Sequence, residues 1–309
     1  MTRLTFQEFL AVRDEFDAAV QTTPGISQFC SSTGWAIPAF RGLHEFDPET
    51  TNTFIVHEGD SWIVFVEKTP NYFYPFESAW MFQCPLIGPN SVDLLTRAKA
   101  EFLEGPNGFV IGGIPKNGAL FEKLESLNSL QFENFPTTGC MIIDLENGVD
   151  QWLGRRSKKF RRTIRDAQKN CSEVVIEDAD LDFDRLFAIQ EQTYKWKDGS
   201  DIFHHDDCLK FYQAMIESEK TLRLRVAIVD GEDAAFLLGA VFGNTFRGLQ
   251  MSYIEKHKSL GLGNFLQIET IRHMAETENI TTYDLGMFSE YKSRWADETR
   301  EFVGCFVVL

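Results

Sequence analysis

The sequence contains no apolar run long enough to cross a bilayer. The longest such run, residues 234–242, is well short of the roughly 20 residues that a membrane-spanning helix needs. We also expect that positions 1–20 are not a secretory leader, because their apolar residues mingle with acids at helical spacing and predict an amphipathic helix. We therefore expect a cytoplasmic protein that does not insert into a membrane.

Positive charge is scarce, with 30 Lys and Arg against 46 Asp and Glu and a formal net charge of −16. Nucleic-acid affinity depends on neutralising phosphates, so this balance opposes non-specific nucleic-acid binding but leaves room for a local basic site. Eight Lys or Arg do fall within residues 155–169, in a helix predicted over residues 149–170. This basic stretch is either a solvated face paired with the acids of residues 173–184 or a contact for phosphates of a cofactor, a nucleotide or an aminoacyl-tRNA.

The six cysteines show no spacing that indicates a metal site or a catalytic thiol. None forms a C-x-x-C pair, and none lies near a histidine in a zinc pattern or in a nucleophile–base pair. Neighbouring His204 and His205 precede two acids, but adjacent side chains point in different directions and rarely bind one ion together. We expect no metal site, and reduced, mostly buried thiols.

The length of 309 residues suggests two domains, since a domain typically has about 100–200 residues. We place the boundary between residues 143 and 144. In the second half, three apolar segments, residues 222–229, 234–242 and 246–254, are joined by strong hairpin turns and predict an antiparallel meander. Helices alternate with strands elsewhere, so the sequence predicts a mixed α+β fold.

The segment Lys-Ser-Leu-Gly-Leu-Gly at residues 258–263 follows the meander and precedes a predicted helix. Glycines at a helix start let backbone N–H groups approach an anion, and the helix dipole favours negative charge there. A dinucleotide fingerprint would need a parallel β-α-β unit and a third glycine, where Leu266 stands instead. The segment is therefore either a tight turn into a helix or a diphosphate site to which Lys258 adds charge.

This segment resembles the Q/R-x-x-G-x-G/A motif of GNAT acyltransferases, with Lys258 in the Q/R position. Residues 144–295 are similar to the Fem-type and CelD-like branch of that superfamily. The matching pieces are Trp152-Leu153 before the basic residues 158–165, Tyr253, Tyr283-Asp284-Leu285-Gly286, and Tyr291-Lys292 with Trp295. The resemblance implies two tandem GNAT-like domains: a degenerate copy over residues 1–143, resembling the family notably at 79–88, and an acyltransferase domain over residues 144–309.

The resemblance further implies an N-acyltransferase that moves an acyl group from acyl-CoA, or a similar thioester, to a small-molecule or peptide amine. The residues expected to bind the donor are Lys258, Leu260, Gly261, Leu262, Gly263 and Asn264. Backbone groups of the splayed central strand are expected to bind the pantetheine arm and to stabilise the tetrahedral oxyanion.

An ammonium is not a nucleophile, so a group near the donor must accept a proton, and the leaving thiolate must receive one. Asp284 is expected to orient the amine or to act as a base through water; its alternative role is a cap of the turn at Gly286. Tyr291 or Tyr253 is the candidate acid, and each is otherwise a core tyrosine. Lys292, Trp196 and Arg161 are the candidate substrate contacts.

Two alternatives stay open on the same fold. Fem-type relatives take the donor from aminoacyl-tRNA, which the basic stretch favours and the overall acidity opposes. A degenerate GNAT pair would instead serve as a non-catalytic binding module, which the lysine at position 258 permits. The sequence does not specify the amine, the acyl length or the oligomeric state.

Overall fold

A computed structural model describes residues 1–309 and divides the chain into two compact units. Unit 1 comprises residues 1–139, 210–215 and 300–309, and unit 2 comprises residues 140–209 and 216–299. Each unit is built around one mixed sheet with helices, so the predicted α+β class is confirmed. No helix of the chain combines the length and the apolar character that crossing a membrane requires.

The strands of unit 1 are β1 (Thr2–Leu4), β2 (Thr53–Glu58), β3 (Ser61–Thr69), β4 (Tyr72–Tyr74), β5 (Leu86–Ile87), β6 (Gly108–Pro115), β7 (Gln131–Pro136) and β15 (Phe302–Val308). Their order in the sheet is β1-β2-β3-β4-β6-β15-β7, and β5 pairs with β3. All pairs are antiparallel except β4 with β6, which are parallel.

The helices of unit 1 are α1 (Phe6–Ala11), α2 (Arg13–Thr22), α3 (Gln28–Ser31), α4 (Thr33–Pro38), α5 (Ser91–Phe102) and α6 (Ala119–Glu125). The single helix predicted near the N-terminus is two helices, since the Val12 N–H bonds back to Phe9 O and ends the first. The apolar spacing was correct: Phe9 and Phe16 are fully buried and contact each other edge-on at 5.1 Å.

The strands of unit 2 are β8 (Cys140–Asp144), β9 (Val175–Ala179), β10 (Leu222–Val229), β11 (Glu232–Phe242), β12 (Thr245–Tyr253), β13 (Thr282–Met287) and β14 (Glu298–Arg300). Their order is β14-β8-β13-β12-β11-β10-β9. The predicted meander is confirmed as the antiparallel run β10-β11-β12. Asp230 and Gly231 both have positive φ between β10 and β11, as a two-residue hairpin turn requires.

The helices of unit 2 are α7 (Val149–Arg155), α8 (Lys158–Asn170), α9 (Phe183–Gln190), α10 (Tyr194–Asp198), α11 (Asp206–Ser218), α12 (Leu262–Thr277) and α13 (Glu290–Ser293); residues 210–215 of α11 group with unit 1. The long helix predicted over residues 149–170 is interrupted. The Ser157 hydroxyl accepts the Phe160 N–H at 3.2 Å and begins a new helix there. Likewise, the Thr193 hydroxyl caps α10 and separates it from α9.

The two sheets share one plan. Three antiparallel strands lead to a parallel pair joined through a helix, β4-α5-β6 in unit 1 and β12-α12-β13 in unit 2. An antiparallel strand then lies beside the second member of the pair: β15 beside β6, and β8 beside β13. This repeated order is the arrangement expected of two GNAT-like copies.

The predicted boundary between residues 143 and 144 is not a single cut between the units. The first stretch of unit 1 ends at residue 139, and residues 300–309, predicted in the second domain, belong to unit 1. The reason is strand pairing: β8 already occupies the free side of β13, while β15 bonds to both β6 and β7.

Candidate functional site

The candidate site lies in unit 2, where the parallel strands β12 and β13 separate. Their pairing ends at Arg247 and Asp284, whereas β12 continues to Tyr253. A β-bulge leaves Leu249 opposite no residue of β11 and bends β12 at the same place. Beyond these residues the two strands no longer pair, and we refer to the region between their unpaired ends as the gap; the resemblance implies that the central strand splays here.

Backbone groups of β12 point into this gap. The Ile254 N–H donates to Ala234 O at 2.8 Å, so this residue pair is a bonded one. Because bonded and non-bonded pairs alternate along antiparallel strands, the N–H and C=O groups of Met251 and Tyr253 point away from β11. One of these groups already has a partner, since Lys195 Nζ donates to Met251 O at 3.4 Å.

A glycine turn leads from β12 into α12. After a 3₁₀ segment over Glu255–Leu260, Gly261 adopts φ +76° and ψ +31°, a left-handed conformation that favours glycine. Helix α12 begins at Leu262, and a helix offers no internal acceptor to the N–H groups of its first turn. Gly261 O accepts from Asn264 and Phe265, at 3.0 and 3.1 Å. Leu262 and Gly263 are thus the first-turn residues whose N–H groups have no acceptor within the helix.

The mouth of α12 is open to solvent on one side. Lys258 and Ser259 are exposed, and Gly261 is half-exposed. On the other side, a Cβ at position 261 would lie 3.4 Å from Ala167 Cβ, so α8 packs against the turn. Backbone N–H groups at the start of a helix suit an anion, and a diphosphate would fit the chemistry of these donors.

Both candidate tyrosines lie at this first turn of α12. A Cβ on Gly263 would lie 3.5 Å from Tyr253 Cε1, so the Tyr253 ring covers that residue at ordinary contact distance. The Tyr291 hydroxyl donates to Asn264 Oδ1 at 3.2 Å. Burial raises the pKa of Tyr291, which keeps it protonated and able to donate. The structure thus brings together four residues that the motifs singled out separately.

Asp284 is buried, and both of its oxygens are engaged. Oδ2 accepts from Arg247 Nη1 at 2.5 Å, and Oδ1 accepts from the Gly286 N–H at 2.8 Å. The second bond is the turn cap that the sequence offered as an alternative role. A proton acceptor in this position would have to loosen its ion pair first, so the geometry suits a group that positions its neighbours.

Lys292 and Lys195 add two half-buried cations to the same region. Burial, then the charge of Arg247, lowers the pKa of Lys292 to about 8, with a smaller contribution from Lys195; Asp284 acts in the opposite direction. Burial also lowers the pKa of Lys195, against the opposing charge of Asp201. Sequence reasoning found Lys292 but missed Lys195 and Arg247. A lone arginine within an apolar strand was the one available signal for Arg247.

The other two predicted substrate contacts are engaged locally. Trp196 contacts Phe187 edge-on at 5.2 Å and His204 at a ring distance of 4.0 Å, so it belongs to an aromatic cluster. Arg161 Nη1 donates to Gly154 O at 3.2 Å and joins α8 to α7.

The basic stretch divides into an inner and an outer part. Arg155 donates to Asp144 O at 3.0 Å, and Arg156 donates to Ala296 O at 2.6 Å; both pair with Asp297. The exposed basic residues of α8 are Lys158, Lys159, Arg162, Arg165 and Lys169.

The acids that follow α8 pair with other cations. Glu177 pairs with Arg185 at 3.0 Å, and Asp178 pairs with Arg225 at 2.6 Å. Within the outer part of the stretch, Arg162 pairs with Asp166 of the same helix at 3.6 Å. The outer face of α8 therefore keeps a positive charge that residues 173–184 do not pair with.

The corresponding loop of unit 1, between β4 and α5, holds an anion of its own. Glu77 is fully buried, and its carboxylate accepts backbone N–H groups of Trp80 at 2.7 Å and of Phe82 at 3.0 Å, with weaker bonds from Met81 and Gln83. These N–H groups are already satisfied. The open glycine turn is thus a property of unit 2.

A mixed sheet whose central parallel strands separate beside a glycine turn and a helix defines the GNAT class of fold. Residues 155–293 match the sequence profile of the acetyltransferase (GNAT) domain family. Residues 155–293 therefore match a GNAT-type acetyltransferase domain, as the resemblance implied. No curated protein matches the sequence.

Three solved structures resemble the whole chain. FemX is 14% identical with a TM-score of 0.71, over 99% of this chain and 97% of FemX. A conserved protein of unknown function from Bacteroides thetaiotaomicron is 12% identical with a TM-score of 0.66, over 97% of both chains. The C-terminal domain of a protein described as a lysylphosphatidylglycerol synthetase, from Agrobacterium fabrum, is 11% identical with a TM-score of 0.58, over 97% and 92%. At these identities the likeness concerns the fold, which is Fem-like.

Proposed function

We propose that unit 2 is an N-acyltransferase that moves an acyl group from acyl-CoA, or a similar thioester, to an amine. The observation that carries this proposal is the gap between β12 and β13, which opens directly beside the mouth of α12. A donor diphosphate at that mouth would aim its pantetheine arm along the backbone groups of Met251 and Tyr253.

The donor would be held mainly by the chain's backbone. The N–H groups of Leu262 and Gly263 would bind the diphosphate, and the exposed Lys258 would add charge from the side. Leu260 and Asn264 flank these groups. Tyr291 fixes the Asn264 side chain, so the hydrogen-bonding pattern of this turn is set before the donor arrives.

The transfer would proceed by direct attack. The neutral amine nitrogen forms a bond to the thioester carbon and the C–S bond breaks; the nitrogen releases one proton to solvent, and the thiolate takes one proton. The N–H of Met251 or Tyr253 would stabilise the oxyanion between these events. Tyr291 or Tyr253 would supply the proton to the thiolate, and Asp284 would orient the amine through the groups that it binds.

A thermal-shift titration with acetyl-CoA tests the donor site. A ligand that binds only the folded state at 100 times its Kd stabilises the protein by about 2.7 kcal/mol. We expect acetyl-CoA to raise the melting temperature of the wild type but not that of Gly261→Val, because valine at position 261 cannot keep φ +76° without strain. Gly59→Val is the matched control, because Gly59 also has positive φ but lies in unit 1 with no atom within 4 Å of a Cβ.

The outcome also separates an enzyme from a binding module. An enzyme should lose acetyl-CoA stabilisation and turnover together in Gly261→Val, and keep both in Gly59→Val. Equal responses of the two variants, or no response of the wild type to any CoA thioester, would remove the acyl-CoA proposal. A binding module would show no turnover in any form.

A second candidate is transfer from aminoacyl-tRNA, which the Fem-type resemblance implies. The observation in its favour is the positive outer face of α8, a helix whose buried face packs against the Gly261 turn through Ala167. Binding of tRNA should then weaken steeply with salt, because phosphate contacts release counterions. The double variant Lys158→Glu, Arg162→Glu should abolish it, while tRNA binding that ignores both salt and this variant would exclude the candidate.

A further inference from the structure

Three cations converge at the gap between β12 and β13, on a chain whose net charge is −16. Arg247 comes from β12, Lys195 from α10 and Lys292 from α13. Lys195 Nζ reaches Met251 O at 3.4 Å, beyond the point where β12 leaves β13. The charges of Arg247 and Lys195 both act on Lys292, so the three side chains are near neighbours.

The carboxylate near these cations, Asp284, already has a hydrogen-bond donor on each of its oxygens. Asp284 accepts from Arg247 through one oxygen and from the Gly286 N–H through the other. It forms its ion pair with Arg247 and none with Lys292. Asp284 therefore neutralises one of the three cations and leaves two.

The acid whose charge acts on Lys195, Asp201, also has a hydrogen-bond donor on each oxygen. Asp201 is buried, and its oxygens accept from the Gln190 side-chain amide and from the Phe203 N–H at 2.8 Å. It influences Lys195 through its charge but forms no ion pair with it. The single hydrogen bond of Lys195 goes to a backbone carbonyl, so its ammonium has further N–H donors available for a ligand.

Lys292 has a half-buried ammonium with no acceptor from the chain. Burial, Arg247 and Lys195 lower its pKa to about 8, whereas the nearby Asp284 and Cys140 act in the opposite direction. Keeping an unpaired cation in such a place costs free energy. That cost falls when an anion binds beside it, so the arrangement favours an anionic ligand.

We propose that Lys195 and Lys292 bind an oxyanion, a carboxylate or a phosphate, that the acceptor amine carries. The assignment to the acceptor rests on the proposed function, in which the donor's own diphosphate lies at the mouth of α12. An anion held by Lys195 lies beside Met251, and the attached amine then faces the thioester in the gap. The acceptors of this site are amines that carry a carboxylate or phosphate group, and uncharged amines bind weakly.

The test measures the binding of three small amines to the full chain by calorimetry, with no acyl donor present. Glycine carries a carboxylate, aminomethylphosphonate carries a phosphonate, and glycinamide carries no anion. We expect one of the two anionic amines to bind at least about tenfold more tightly than glycinamide, and the tighter one identifies the anion. Binding near pH 8.5 should also take up protons, because the anion favours the charged form of Lys292.

Lys195→Met and Lys292→Met should each weaken anionic binding by about tenfold. Lys220→Met is the control, since Lys220 is exposed and should leave affinity unchanged. Equal binding of glycinamide, no binding of either anionic amine at millimolar concentration, or unchanged affinity in both lysine variants would overturn the proposal. Because no donor is present, none of these results depends on CoA, so a failure of the donor site shows separately in the thermal-shift titration.

Discussion

Lys292 links the candidate site to the stability of the chain. The pKa of its folded form is about 8, below the ordinary lysine value of about 10.4. Below both values the lysine is charged in the folded and unfolded states alike, and the folded state bears the cost of burying the charge. As pH rises between the two values, the folded form releases its proton first and becomes relatively more stable.

Replacing Lys292 by Met should therefore stabilise the protein near pH 7. The gain is at most about 3 kcal/mol, less any packing lost with the side chain. It should shrink as pH approaches about 10, because the wild type then sheds the charge. Urea unfolding near pH 7 and near pH 9.5 measures the difference, with Lys220→Met as the exposed control. A variant less stable than the wild type near pH 7 would contradict the burial of an unpaired charge at this position.

At the scale of single residues, local motifs predicted part of the site. Gly261, Asn264 and Tyr291 were singled out because their neighbours in sequence form a recognisable pattern, and the Tyr291–Asn264 hydrogen bond joins two of those patterns. Lys195 could not be found this way, because it meets Met251 only through tertiary packing across 56 positions of sequence. The bond of Asp284 to Arg247 likewise depends on the register of β12 with β13, whereas its bond to the Gly286 N–H is local.

At the scale of elements, α8 is a helix separate from α7, and it packs against the glycine turn through Ala167. The Ser157 hydroxyl caps α8 by accepting the Phe160 N–H. The helix then begins with Lys158 and Lys159, whose charges are unfavourable at the positive end of a helix dipole. The cap is therefore expected to stabilise the start of α8.

Ser157→Ala should reduce the free energy of unfolding by about 1 kcal/mol, the usual cost of a lost N-cap. Ser157→Asp should restore it, since a carboxylate caps the helix and offsets the two lysines. Ser172→Ala, an exposed serine just beyond the other end of α8, is the control. Denaturant unfolding measures all three, and an unchanged midpoint for Ser157→Ala would show that α8 does not depend on this cap.

Element types were largely predictable, whereas their interruptions were not. The meander follows from alternating apolar segments and from turn residues such as Gly231, which strand pairing then confirms. The break at Ser157 was hidden because the apolar spacing of Trp152, Phe160 and Ile164 continues through it. A serine is common on helix surfaces, and only its hydrogen bond distinguishes a cap.

At the scale of the whole molecule, the last strand belongs to the sheet of unit 1. β15 lies between β6 and β7 and bonds to both, and Val307 near its end is fully buried. The sequence could not predict this assignment, because a strand's propensity is independent of the sheet that it joins. The assignment depends on which strand edges remain unpaired, and β8 had already filled the edge beside β13.

Val307→Asp should therefore destabilise unit 1 first, by burying an unpaired charge in its sheet. Hydrogen exchange should show early loss of protection in residues 108–115 and 131–136, with residues 245–253 protected for longer. Gln131→Ala, at the exposed start of β7, is the control. Loss of protection that begins in residues 282–287 instead would contradict the assignment of β15.

The central claim is that the open glycine turn and the gap beside it receive the donor. A crystal structure with a non-hydrolysable acyl-CoA analogue tests this most directly. The account predicts the diphosphate within hydrogen-bond distance of the Leu262 and Gly263 N–H groups, and the pantetheine arm along Met251 in the gap between β12 and β13. An analogue bound elsewhere on the chain, with the mouth of α12 left to water, would contradict it.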